Sequence, residues 1–139
     1  MISDDKTIVL ALFLVSMVFL YGCLAPDQTL PDRCVLSAQI SCLEFGVSQD
    51  SIAIEILNGA EQDLTVKSIT YLGDSITGEC IATDVVPLAN NEKATFVAKN
   101  CNIQSDGGKE KFTMDVLYVW DDTPVVEHTL EGAMITNVL

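Results

Sequence analysis

Five cysteines, at positions 23, 34, 42, 80 and 101, and one histidine, His128, are the side chains in this 139-residue sequence best suited to covalent or acid–base chemistry. No two of the cysteines form a C-x-x-C pair, and a single histidine is too few for an ordinary zinc set. Oxidation to disulfides is the chemistry their number and spacing favour. Of the three connectivities open to Cys34, Cys42, Cys80 and Cys101, we expect Cys34 with Cys42 and Cys80 with Cys101. The first two are close in sequence, and the second two flank what reads as a single turn region. In the chain-entropy model the shorter loop contributes about 2.5 kcal/mol and the longer about 3.4 kcal/mol. Cys23 lies in an apolar run and reads first as a small apolar residue, with lipid attachment or an intermolecular bond as the alternatives.

Other candidate chemistry is thin. His128 as a catalytic base needs a nucleophile or an orienting acid, and strand pairing brings only Tyr118 to it, so a structural role is expected. Asp121 and Asp122 could hold Ca²⁺ with a loop carbonyl, but a turn before Pro124 accounts for both without an ion. There is no P-loop, G-x-S-x-G, H-E-x-x-H or dinucleotide fingerprint, no C-x-x-C-H and no N-x-[ST] sequon. The expectation is therefore no enzyme, with no catalytic residue, no metal and no cofactor.

The elements that must carry these residues divide the chain in three: an apolar helix over 1–25, a linker over 26–33 and a β-sandwich over 34–139. Ile8 to Leu24, IVLALFLVSMVFLYGCL, holds no charge and no proline. As a helix from Asp4 to Ala25 it would be about 33 Å long, enough to cross a hydrocarbon core. Ser3 is its expected N-cap, Asp4 and Asp5 suit the first turn, and Pro26 ends it. Three readings compete: a cleaved signal peptide, a retained membrane anchor and the packing helix of a filament. MISDDKT is a poor signal n-region, with Lys6 set against Asp4 and Asp5, so retention is expected. Leu20, Tyr21, Gly22 and Cys23 resemble a lipobox, which keeps lipidation at Cys23 open. A helix apolar on every face has no side suited to water.

From Cys34 the period changes to two. Val35 to Val47 reads as a strand pair clipped by Cys34 and Cys42, and Ile52, Ile54 and Ile56 alternate with Ala53, Glu55 and Leu57 before an Asn58–Ala60 turn. Leu64, Val66, Ile69 and Tyr71 form the next strand, LANNEK a turn, Ala94 to Ala98 a short strand and QSDGGKE a polar loop. The two clearest strands, Lys111 to Trp120 and Val125 to Val138, are joined by DDTP. Facing Trp120 with Val126, Tyr118 with His128, Val116 with Leu130 and Phe112 with Met134 puts one apolar row on the core side and Asp115, Glu127 and Glu131 outside. A one-residue slip would bury those acids. The row Phe112, Met114, Val116, Tyr118 and Trp120 reads as core rather than as a stacking surface. Seven or so short strands with turns about every ten residues indicate an antiparallel, Ig-like sandwich, so the expected class is α+β.

The formal charge is −13, and between Asp27 and Glu131 there are 18 acids against 6 bases. Such a surface repels nucleic acid and anionic lipid heads, which excludes DNA and RNA as partners.

The order of these parts resembles archaeal type IV pilins and archaellins: an apolar helix, LPDRCVLSAQISC, strands around ILNGAEQDLTVKSI, a cysteine, LANNEKATF, a second cysteine and a strand pair closing on LEGAMITNV. The resemblance implies an extracellular filament at the cell surface, built from copies of this chain, with the membrane as host before assembly. It implies a filament core around Ile8, Leu12, Val15 and Phe19, with Asp5 as the acid that meets a neighbour's terminal amine. Packing such helices together removes about 1,000 Å² of apolar surface from water per copy, worth about 25 kcal/mol before association costs. The alternative is a membrane-anchored or lipidated sandwich that binds a partner at its loops.

Overall fold

The computed structural model describes Pro31–Leu139. Alternation of apolar and polar residues gives this region nine strands: β1 (Arg33–Val35), β2 (Ile40–Val47), β3 (Ile52–Asn58), β4 (Leu64–Leu72), β5 (Ile81–Ala82), β6 (Val86–Leu88), β7 (Lys93–Ala98), β8 (Lys109–Trp120) and β9 (Glu127–Asn137). Every regular element among the described residues is a strand, and the expected α+β class is corrected to all-β. The helix expected over 1–25 lies outside the described residues. So do Asp5, Ile8, Leu12, Val15, Phe19, Cys23 and most of the linker. No helix among the described residues is long and apolar enough to cross a membrane.

The strands form two antiparallel sheets. The larger runs β1-β9-β8-β4-β5, with β6 also on β4; the smaller runs β2-β3-β7. Period-two patterning decides which side of each strand faces the other sheet. On β3, Ile52, Ile54 and Ile56 are fully buried, while Ala53, Glu55 and Leu57 between them are half-buried. Phe96 and Ala98 on β7 and Val47 on β2 complete the small sheet's inner face. Opposite them lie Leu64, Val66, Ile69 and Tyr71 of β4, Phe112, Met114 and Val116 of β8, and Met134 of β9.

The apolar phase of β4 slips by one residue between Val66 and Ile69. A bulge between Val66 and Ser68 absorbs the slip, so both halves of the strand still face inward. The β8–β9 register is the expected one through Phe112–Met134, Val116–Leu130 and Tyr118–His128. The expected Trp120–Val126 pair is absent. The ladder ends at Val119–Glu127, Trp120 pairs with Leu64 of β4, and Val125 and Val126 belong to an exposed turn. That turn is held by Thr123 N–H donating to Trp120 O (3.1 Å) and Val126 N–H to Thr123 O (3.2 Å).

The strand pair expected within Val35–Val47 does not form either. β1 pairs with β9 in the large sheet and β2 with β3 in the small one. Between them the Ser37 hydroxyl accepts from the N–H groups of Gln39 (3.2 Å) and Ile40 (3.1 Å), a local turn that carries the chain from one sheet to the other.

Candidate functional site

The disulfides lie where the two sheets meet. Cys34 of β1 is joined to Cys42 of β2, and Cys80, just before β5, to Cys101, just after β7. The pairing is the one expected from the spacing, yet neither bond closes a hairpin. Each links a residue on the large sheet to one on the small sheet, and the two bonds lie at opposite lateral edges of the sandwich. Cys80 is held to the large sheet by Tyr71 N–H donating to its carbonyl (2.9 Å). Cys101 is held to the small one by its own N–H donating to Asp50 O (2.9 Å).

One end of the sandwich is organised by Asn58. The sequence places this residue at the start of a turn, and in the fold it is the fully buried last residue of β3, with the turn following it. Its side-chain amide donates to Gln62 O (2.8 Å) and Leu88 O (2.9 Å), and its Oδ1 accepts from Ala60 N–H (3.0 Å). Three chain segments thereby share one side chain, which satisfies its polar atoms and removes the penalty for burying them. Beside it Asp121 accepts from the Thr65 hydroxyl (2.8 Å) and its N–H donates to Asp63 O (3.1 Å). Asp121 and Asp122 thus stand in a turn. No group of three His, Cys, Asp or Glu among the described residues is arranged to hold an ion.

The apolar row of β8 splits. Phe112, Met114 and Val116 are fully buried, but Tyr118 and Trp120 are half-buried. His128 stacks on Tyr118 with ring centroids 5.5 Å apart, Tyr118 meets Trp120 edge-on at 5.3 Å, and Trp120 lies 6.3 Å from His128. With half-buried Leu130 these rings continue the inner face of the large sheet toward the β8–β9 turn. His128 has aromatic neighbours in Tyr118 and Trp120. Period two identified the face these residues occupy; it carried no information on how far the opposite sheet reaches over it.

At the other end, Ser75 Oγ and Tyr71 Oη are buried with no hydrogen-bond partner among the described residues. Desolvation pushes the Tyr71 phenol well above its ordinary value, keeping it neutral. Asp32 and Lys109 form an ion pair next to β1.

No family model and no curated protein matches the chain. Solved structures give distant likenesses. One is the ASH/PapD-like domain of human CEP192, at 12% identity over 74% of this chain and 87% of that one, with a TM-score of 0.40. Another is the archaellum periplasmic stator protein complex FlaF and FlaG from Sulfolobus acidocaldarius, at 9% identity over 70% and 90%, TM-score 0.44. A third is a protein from Archaeoglobus fulgidus, at 12% identity over 76% and 100%, TM-score 0.34. At these identities and scores they carry no weight for function.

Proposed function

We propose that this chain is a structural subunit of an extracellular pilus-like or archaellum-like filament, its sandwich displayed at the surface. The observation that carries the reading is the placing of the disulfides, one at each lateral edge, tying sheet to sheet. Bonds of this kind belong to oxidising surroundings and suit a small domain that must keep its shape outside the cell. The uncharged run Ile8 to Leu24 supports assembly, since seventeen such residues have to be withdrawn from water among lipid tails or among copies of themselves. Electron microscopy of sheared surface material tests this: filaments that contain this chain are the expected result, and dispersed monomers in detergent overturn it.

A second reading, an anchored or lipidated binding module, draws support from the half-exposed rings at Tyr118, Trp120 and His128. The intact mass of the native chain separates the two, because a diacylglyceryl group on Cys23 with residues 1–22 missing excludes the filament.

A further inference from the structure

A β-sandwich has lateral edges where backbone groups lack a partner strand, and three of the four here are blunted. The β5/β6 edge is made of pieces two and three residues long, with Pro87 in the second. The β7 edge begins with Lys93 and lies beside the Cys80–Cys101 bond. The β2 edge carries a bulge between Cys42 and Glu44 and is tied to β1 at Cys42. Short strands, prolines, lysines and bulges are devices that prevent strand addition. The fourth edge differs: β1 covers β9 only over Ala133–Ile135, because the chain turns away after Val35. From Glu127 to Gly132, β9 has β8 on one side and, among the described residues, no strand on the other. Every second residue there directs its N–H and C=O away from β8.

The covered part ends at a tight place. A Cβ on Gly132 would lie 2.5 Å from Leu36 Cδ2, 2.7 Å from Val35 O and 3.1 Å from Met114 Cε, so the end of β1 and the residue after it are packed close at that point. Toward Glu127 the two faces of the open stretch have opposite characters. The inner face shows half-buried His128 and Leu130, backed by Tyr118 and Trp120. The outer face shows exposed Glu127 and Glu131, with Asp115 directly opposite Glu131. Like charges facing each other across a ladder are destabilising. The ion pairs among the described residues, Lys93–Glu55 and Lys109–Asp32, leave these three acids without a base.

We propose that the Glu127–Glu131 edge of β9 takes up an extended segment of a partner protein as an added strand, with apolar residues on the inner side and basic residues on the outer side. Backbone hydrogen bonds supply the attachment, and the alternation selects the partner. Apolar side chains extend the surface begun by His128 and Leu130, and lysine or arginine meets Glu127 and Glu131. A second copy of this chain is a poor occupant. In the antiparallel register that spans the open stretch and keeps the inner faces together, Glu127 of each copy falls opposite Glu131 of the other. The inference is independent of the filament reading, since it concerns the sandwich alone.

The probe is a ten-residue peptide alternating valine and lysine, added to the full chain in detergent micelles, with a valine–glutamate peptide as control. Amide hydrogen exchange is followed along β9. The expected result is slowed exchange at the alternate amides of Glu127–Glu131 with the lysine peptide and none with the glutamate peptide. The surface double variant Glu127→Lys/Glu131→Lys should weaken the lysine peptide about tenfold and admit the glutamate peptide. Four results overturn the proposal. These are protection that maps to β2 or β7, equal binding of both peptides, protection without peptide at every protein concentration (the chain's own residues covering the edge), and protection that grows with protein concentration (a second copy).

Discussion

Tyr71 places its ring in the core between the sheets and its hydroxyl where, among the described residues, nothing accepts or donates. The ring is worth burying; the hydroxyl is a penalty the fold carries. Tyr71→Phe should therefore raise stability by about 1 kcal/mol near neutral pH, measured by urea unfolding. The raised phenol pKa fixes the sign of a second effect. Below the ordinary value of 10.0 both folded and unfolded chains keep the proton, and the neutral ring costs nothing extra. Above it the unfolded chain releases the proton and the folded chain does not. Stability is then lost as pH rises through and past that value. Melts between about pH 8 and pH 11 should show this fall in the parent chain and a shallower one in Tyr71→Phe. Residue type alone was informative for the cysteines, whose oxidation and pairing follow from number and spacing. It was incomplete for Asn58, which opens the expected turn by accepting from Ala60 N–H but is also a buried hub that ties that loop to Leu88.

Strands were legible because one side of each is buried and the other wet. Ile52, Ile54 and Ile56 announce β3 directly, and the β8–β9 register follows from keeping Glu127 and Glu131 out of the core. Pairing between strands near in sequence was less legible. Arg33–Val35 and Ile40–Val47 look like two arms of a hairpin, but they lie in different sheets and their disulfide is a staple between layers. Consequences follow for stability. Replacing Cys34 and Cys42 by serine should cost about 2.5 kcal/mol and replacing Cys80 and Cys101 about 3.4 kcal/mol, from loops spanning 8 and 21 residues. Lying at opposite edges, the two effects should add in the fourfold variant. Guanidinium unfolding under non-reducing conditions measures both. Faster amide exchange in both sheets after either replacement distinguishes an inter-sheet staple from a bond within one hairpin.

As a whole the chain sets a strongly acidic stretch, 18 acids against 6 bases from Asp27 to Glu131, against an uncharged apolar run at Ile8–Leu24. On the proposed filament reading, copies brought together by the run bring their acids together too. Raising sodium chloride from about 0.02 M to about 0.5 M shortens the Debye length from roughly 20 Å to about 4 Å and relieves that repulsion. Self-association of the full chain, followed by sedimentation, should therefore strengthen with salt. Dissociation on adding salt would mean that ion pairs, not apolar burial, hold the copies together. By sequence alone the chain declares its oxidised cysteines, its alternating strands, its charge and its greasy N-terminal stretch, because each is a local property of composition or period. Which sheet a short strand joins, which edge is left open beside His128 and Leu130, and that both disulfides cross from layer to layer were settled only in three dimensions. The reason is physical: period two tells a residue which side of a strand it occupies, while the neighbour across the layer or along the edge is chosen by how all nine strands pack at once.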